Sequence, residues 1–312
     1  MPLTVGGQAV IEGVMLRSPM AVAVSVRKAD GSIKTKVDMI KQPSQRFFLF
    51  RWPFFRGVAT LWDSMSLGIK CLNFSAQEAM RDEASDTGKK KTAMPLILST
   101  LAALFFGVVL FVGLPYLFSE LLGNSLKAVG ENDWLFNLVD GGFRLIIFLL
   151  YIIVISLFPD IRRVFEYHGA EHRVVHAFET GEKVTVESAQ KRSVLHRRCG
   201  TSFLLILLIL VIVLFSLVPR GDGLQDKIFM RLTFLPLVLL VASGTSYELL
   251  RLSAKAGDSL VAWALTAPGL ALQRLVTKNP SDEQVEVAIA TLDGVLKAER
   301  ELSNERLGIS DK

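Results

Sequence analysis

All four histidines of the chain fall in one short stretch, at His168, His172, His176 and His196, and Cys199 stands three residues beyond the last. The core of the stretch is Tyr167-His168-Gly169-Ala170-Glu171-His172-Arg173-Val174-Val175-His176. On a helix His168 and His172 lie one turn apart on a common face, the spacing with which two imidazoles ligate one Zn²⁺. Glu171 precedes the second histidine. The string is therefore His-x-x-Glu-His, the inverted zincin order, in which the glutamate serves as general base toward a water activated by the metal. His176 is another turn along, as a ligand or as a partner of one, and His196-x-x-Cys199 adds softer ligands. Inverted zincins take a further ligand from a downstream glutamate, and Glu248 in Ser246-Tyr247-Glu248 is the candidate here. The expected cofactor is a divalent metal, zinc first. A plainer account needs no metal: the histidines satisfy backbone groups or pair with Glu166 or Glu179, and Glu248 pairs with Arg251.

These residues must be positioned by a membrane protein. Of 312 residues, 51% are hydrophobic and only 21% charged, which is more apolar than soluble chains usually are. The excess sits in long runs. Four of them, at about 96–118, 141–158, 202–218 and 228–249, approach or exceed the length that crosses about 30 Å of hydrocarbon. The expected fold is an α-helical polytopic membrane protein: four transmembrane helices, each without a mid-span charge, and a small cytoplasmic α+β module. Arg144 falls near one end of the second run, close enough to snorkel into the headgroups. Lys and Arg alternate rich, poor, rich, poor, rich along the connections, which places both termini and the connection 159–201 in the cytoplasm. Cys71 and Cys199 both fall on that side, where thiols stay reduced. The net charge of +5 follows from this bias and from attraction to anionic lipid, so the partners expected are membrane lipids, with room for a homo-oligomer and no call for nucleic acid.

The cytoplasmic parts divide into residues 1–93, the histidine-bearing connection 159–201, and a tail at 250–312. In the first, Ala21–Arg27 and Ser32–Ile40 alternate around Asp30-Gly31, a β-hairpin pattern. Ahead of it, Gly6-Gly7-Gln8-Ala9-Val10-Ile11-Glu12-Gly13-Val14-Met15 is punctuated by glycines, which suit either a backbone turn meeting a ligand or close packing. Arg46 to Arg56 interleaves aromatics with arginine, as an interfacial anchor does. An amphipathic helix is expected over Val58–Arg81 and a polar linker over Asp82–Lys91. In the tail Pro268-Gly269 suggests a break, and Ser281 caps a last helix.

Three segments together resemble the YqhQ-like family of bacterial membrane proteins: the glycine-punctuated run from Gly6 to Met15, Tyr167-His168-Gly169-Ala170-Glu171-His172, and Arg198-Cys199-Gly200-Thr201-Ser202-Phe203. Pro268-Gly269 through Gln273-Arg274-Leu275 is similar too. Arg173 stands where that family is expected to carry lysine, and keeps the charge. Members are commonly labelled predicted metal-dependent enzymes. The resemblance implies a bacterial plasma-membrane location and adds Gly7, Gln8, Glu12 and Arg17 as candidate site residues, with Glu12 completing a site if the N-terminal module folds over the histidines. Two functions compete: a metal-dependent hydrolase at the cytoplasmic membrane face, with Glu171 catalytic and His168, His172, His176, His196, Cys199 and Glu248 as the pool of metal ligands, and a non-enzymatic membrane scaffold or regulator. A transporter is the weakest alternative, because no mid-membrane charge is expected.

Overall fold

The computed structural model describes residues 3–40, 48, 52, 54–87, 93–197, 199–219, 224–255 and 259–307. Strands β1 (Gly6–Val10), β2 (Gly13–Arg17), β3 (Ala21–Arg27) and β4 (Ile33–Met39) form an antiparallel meander in the order β1-β2-β3-β4. β3 and β4 are the two arms of the hairpin pattern, paired from Ala21 opposite Met39 to Arg27 opposite Ile33. The glycine-punctuated run is a second hairpin, β1–β2, closed by Ile11 and Glu12, and Glu12 takes the left-handed conformation at φ 53°.

Alternation along the strands sends successive side chains to opposite faces. Val14, Leu16 and Ala23 join one apolar core with Tyr167, Ala170, Val174 and Val285, Ala288, Leu292 and Val295. Met15, Val22, Val24 and Val26 join the other with Cys71, Leu67 and Phe74. The sheet is thus covered on both sides: helices α6 (Pro159–Glu179) and α11 (Asp282–Leu307) lie on one face, and α1 (Phe55–Thr87) on the other. This explains why β3 is buried along six of its seven residues instead of alternating buried and exposed. The N-terminal sheet, the histidine helix and the C-terminal helix share one core, so they lie on the same side of any membrane the remaining helices cross.

Among the described residues three helical stretches are long and apolar enough for that: Leu101–Ser125, Asp133–Ile155 and Phe229–Ser253. The first is built of α2 (Ala93–Val108), a π-turn at Val109–Gly113 and α3 (Leu114–Ser125). A short turn of helix, α4 (Lys127–Gly130), leads into α5 (Asp133–Ile155). After α6 and the short α7 (Val186–Gln190) come α8 (Gly200–Ser216), α9 (Leu224–Lys255) and α10 (Leu260–Val276). α8, the run expected to be the third span, has 17 residues and reaches about 26 Å at 1.5 Å per residue, at the lower end of the length that crosses the hydrocarbon. It is the centre of the bundle, in contact with α5, α9 and α10.

Several expectations are corrected. α5 begins eight residues before the run at 141–158, because Asn132 caps it by accepting from Leu135 N at 3.0 Å. The longer helix takes in Asp140, so this stretch does carry charge. Arg144 does not reach out alone to headgroups; its Nε donates to Asp140 Oδ2 at 3.1 Å, and Arg231 of α9 donates to the same oxygen at 2.8 Å. α1 continues to Thr87, through much of the expected linker. Pro268 and Gly269 do not break the chain; both lie inside α10, where a Cβ on residue 269 would stand 2.1 Å from Ser202 Oγ. Close packing on α8 outweighs the one backbone hydrogen bond that proline forfeits. Most of the Arg46–Arg56 anchor lies outside the described residues; Phe48, Trp52, Phe54 and Phe55 are exposed.

Candidate metal centre

α6 carries two stripes. Tyr167, Ala170, Val174 and Ala177 are buried in the core under the sheet. His168, His172 and His176, at i, i+4 and i+8, make the other stripe, and it faces the segment 193–196 and the end of α10. Gly169 allows the approach: a Cβ there would stand 1.9 Å from Lys278 O. With only hydrogen at that position, Lys278 N bonds Phe165 O at 2.9 Å and Val276 O comes within reach of His168.

Each histidine of the stripe spends its Nδ1 on a backbone carbonyl. His168 Nδ1 donates to Val276 O at 2.9 Å, His172 Nδ1 to Val194 O at 2.5 Å, and His176 Nδ1 to Ser193 O at 3.2 Å. A carbonyl only accepts, so these contacts fix the tautomer and leave each Nε2 with a lone pair, the second-shell arrangement of metal-bound imidazoles. The His168 and His172 rings sit with centroids 4.5 Å apart. Cys199 Sγ lies 3.4 Å from His168 Nε2. One ligand atom each from His168, His172 and Cys199 falls within 4.8 Å of the others. Cys199 is the N-cap of α8, and its sulfur accepts from Thr201 N and Thr201 Oγ1 at 3.5 and 3.3 Å.

The donor set fits a divalent metal on two further counts. His172 Nε2 is buried and makes no hydrogen bond among the described residues; a metal would supply the missing partner, since a buried orphan nitrogen is costly. Burial also lowers the His172 pKa, keeping the imidazole neutral as ligation requires. Two nitrogens and a thiolate suit zinc, with a fourth position left over.

Glu171 lies beside this group, its Oε2 3.5 Å from His172 Nε2. It is 4% exposed. Burial raises its pKa, partly offset by His168, His196 and the Gly7 N–H that donates to it. The contact comes from β1 lying over α6, so the module does fold over the histidines. Residue 7 must be glycine there, because a Cβ would stand 2.0 Å from Met15 O across the β1–β2 pair.

The other candidates are placed differently. His196 rings lie against His172 and His176 at 5.7 and 4.7 Å, but His196 Nε2 is engaged by Glu179 Oε2 at 3.2 Å. Glu248 is not brought to the group: Arg56 grips it through both oxygens, Nε to Oε1 at 2.6 Å. Glu12 faces away, held by Arg163 and within 3.3 Å of Tyr167 Oη. Gly7, Gln8 and Arg17 line a cleft of about 790 Å³ whose wall also includes Glu171, His172, His196 and Cys199.

Sequence reasoning missed the carbonyls of Val194 and Val276, which no side-chain pattern reports. It also missed Gln273, fully buried, which accepts from His196 N and donates to His196 O, both at 2.9 Å. Its one signal was position, in the Gln273-Arg274-Leu275 string that resembles the family.

The profile of the family described as "Protein of unknown function (DUF1385)" matches residues 52–298. The uncharacterized protein YqhQ of Bacillus subtilis (strain 168) is 36% identical over 311 residues, covering 96% of this chain and 94% of that protein. The chain belongs to this family. The matched region contains the histidine stripe, Cys199 and Gln273, so the centre sits within family sequence, whereas Gly7 and the rest of the sheet precede the profile. No solved structure matches the chain.

Proposed function

We propose that this protein is a metal-dependent hydrolase of the bacterial plasma membrane. It crosses the membrane four times, with both termini and the metal centre on the cytoplasmic face. The observation that carries the proposal is the convergence of His168, His172 and Cys199, with buried Glu171 beside them, at a wide cleft that His172, Cys199 and Glu171 line. Those three residues would hold zinc, which would supply a Lewis acid for a substrate oxygen or an attacking water. Glu171 is placed to take a proton from the attacking water. Its burial makes it a stronger base than an exposed carboxylate, closer to the pH at which it works. The Gly7 N–H holds the carboxylate in place, and the carbonyls of Val276 and Val194 hold the imidazoles.

The test is metal content by mass spectrometry of detergent-purified protein, alongside His168→Ala/His172→Ala and Glu171→Gln. Near-stoichiometric zinc, absent from the double variant and retained in Glu171→Gln, is expected, and Glu171→Gln loses hydrolysis. A folded, chelator-free wild type without metal overturns the proposal. A silent Glu171→Gln leaves a scaffold with a structural metal.

A further inference from the structure

The 790 Å³ cleft lined by Glu171, His172 and Cys199 is lined also by Arg17, Arg56, Tyr247 and Arg251. Among the described residues Glu171 is the one carboxylate lining it. The acids that balance two of the arginines stand behind them. Asp63 holds Arg17 at 2.7 Å, Glu248 holds Arg56, and neither lines the space. A guanidinium braced from behind keeps other N–H groups in a fixed fork, which suits phosphate oxygens. Arg251 is exposed and lies at the end of the apolar stretch that closes at Ser253, so this wall of the cleft sits where the apolar surface ends. Thr60 and Ser64 add hydroxyl donors between the arginines. The volume exceeds what an inorganic anion needs and falls in the range of ligand-sized sites.

Resting on the hydrolase proposal above, we propose that the substrate is a phosphate monoester, its dianion held by Arg17, Arg56 and Arg251 at the membrane surface. A water oxygen bonds to phosphorus as the ester P–O bond breaks. Glu171 takes one proton from the water and gives it to the departing alkoxide oxygen, so that an alcohol and inorganic phosphate leave and the carboxylate is restored. Nothing else is consumed. Three arginines against one buried carboxylate favour a dianion over a diester's single charge.

The test uses zinc-loaded full-length protein in detergent and three probes: phosphatidic acid, phosphatidylglycerol and glycerol phosphate, with binding and inorganic phosphate release both measured. Arg251→Ala is the chosen variant because its side chain is exposed and so is dispensable for folding; Arg251→Glu repeats the test with reversed charge. Phosphatidic acid is expected to bind wild type and Glu171→Gln alike, on the order of tenfold weaker to Arg251→Ala, the loss of one charge-assisted contact, and weaker still to Arg251→Glu. Phosphate release from phosphatidic acid alone marks a lipid source; release from glycerol phosphate marks a soluble one. Equal binding of phosphatidylglycerol and phosphatidic acid, or indifference to both Arg251 variants, overturns the inference. Metal measured on the same preparations separates the two proposals: bound zinc without monoester binding sinks this one alone, and missing zinc sinks the hydrolase beneath it.

Discussion

The protein gathers buried polar groups in two places, and they are finished differently. Within the helical bundle, Asp140 is 3% exposed and sits between Arg144 and Arg231, with Asn137 donating to Val218 O at 2.9 Å. The adjoining cavity measures about 10 Å³, too small for anything beyond a single water. At the sheet end, His168, His172 and His176 each give Nδ1 to a backbone carbonyl, and the space lined by His172 is about 790 Å³. Asp140 Oδ2, shared by two arginines, ties α5 to α9, while Asp140 Oδ1 and Arg144 Nη2 make no hydrogen bond among the described residues. At the histidines the orphan atom, His172 Nε2, stands instead beside Glu171 and the wide cleft. The transporter alternative was ranked lowest because no mid-span charge was expected. The charge is present, paired between α5 and α9 beside a cavity of about 10 Å³.

Four measurements sharpen or break this contrast. The largest effect is expected from His168→Ala/His172→Ala, which removes two of three ligands: bound metal falls from near one per chain to background, while the fold in detergent persists by circular dichroism. Asp140→Ala does the reverse. It leaves Arg144 and Arg231 without their shared acid and destabilises by about 3–5 kcal/mol, seen as a lower melting temperature, with metal per folded chain unchanged. If Asp140→Ala strips metal, or the histidine pair melts the bundle, the two regions are not separate in kind. Gln273→Ala frees the backbone at His196 and is expected to weaken metal binding on the order of tenfold, as loss of outer-shell support does, measured by competition with a chromogenic chelator.

The smallest effect distinguishes the two thiols. Both are free. Burial pushes Cys71 up to about 11, so at pH 8 it remains protonated and unreactive, and its thiolate appears only as pH rises toward that value. In metal-stripped protein at pH 8, Cys199 alkylates first, and added zinc protects it. Rapid loss of Cys71 instead would mean that the α1 face of the sheet opens easily.

The sequence exposed what depends on side-chain type at short range. The His168/His172 spacing, the β3–β4 hairpin and the Ser281 cap, which accepts from Gln284 N at 3.3 Å, are all local patterns. The first and last spans were legible as apolar runs, but α5 was mislocated because its N-terminal third is polar where it meets Arg231. Pro268 looked like a break because proline usually is one, and only the contact of Gly269 with Ser202 shows why the helix continues. Glu248 looked like a ligand on chemistry alone, and Arg56, 192 residues away in sequence, decides otherwise. Long-range partners of this kind leave no trace in a single sequence. The coarse fold was therefore readable, and the centre's residues were nameable, while the carbonyls and Gln273 that orient them were not.

The place of α11 has a consequence for how the protein is made. Val285, Ala288, Leu292 and Val295 fill the core beneath a sheet that begins at Gly6, and Ser18 bonds Glu299 across 281 residues. The sheet thus cannot complete its core until α11 has been made, after all the apolar helices that lie between them in the chain. Such distant closure is slow and leaves apolar strand surface uncovered meanwhile. Val276, whose carbonyl aligns His168, arrives just as late. On the proposed function, metal binding therefore has to follow the making of α10 and α11, late in biogenesis.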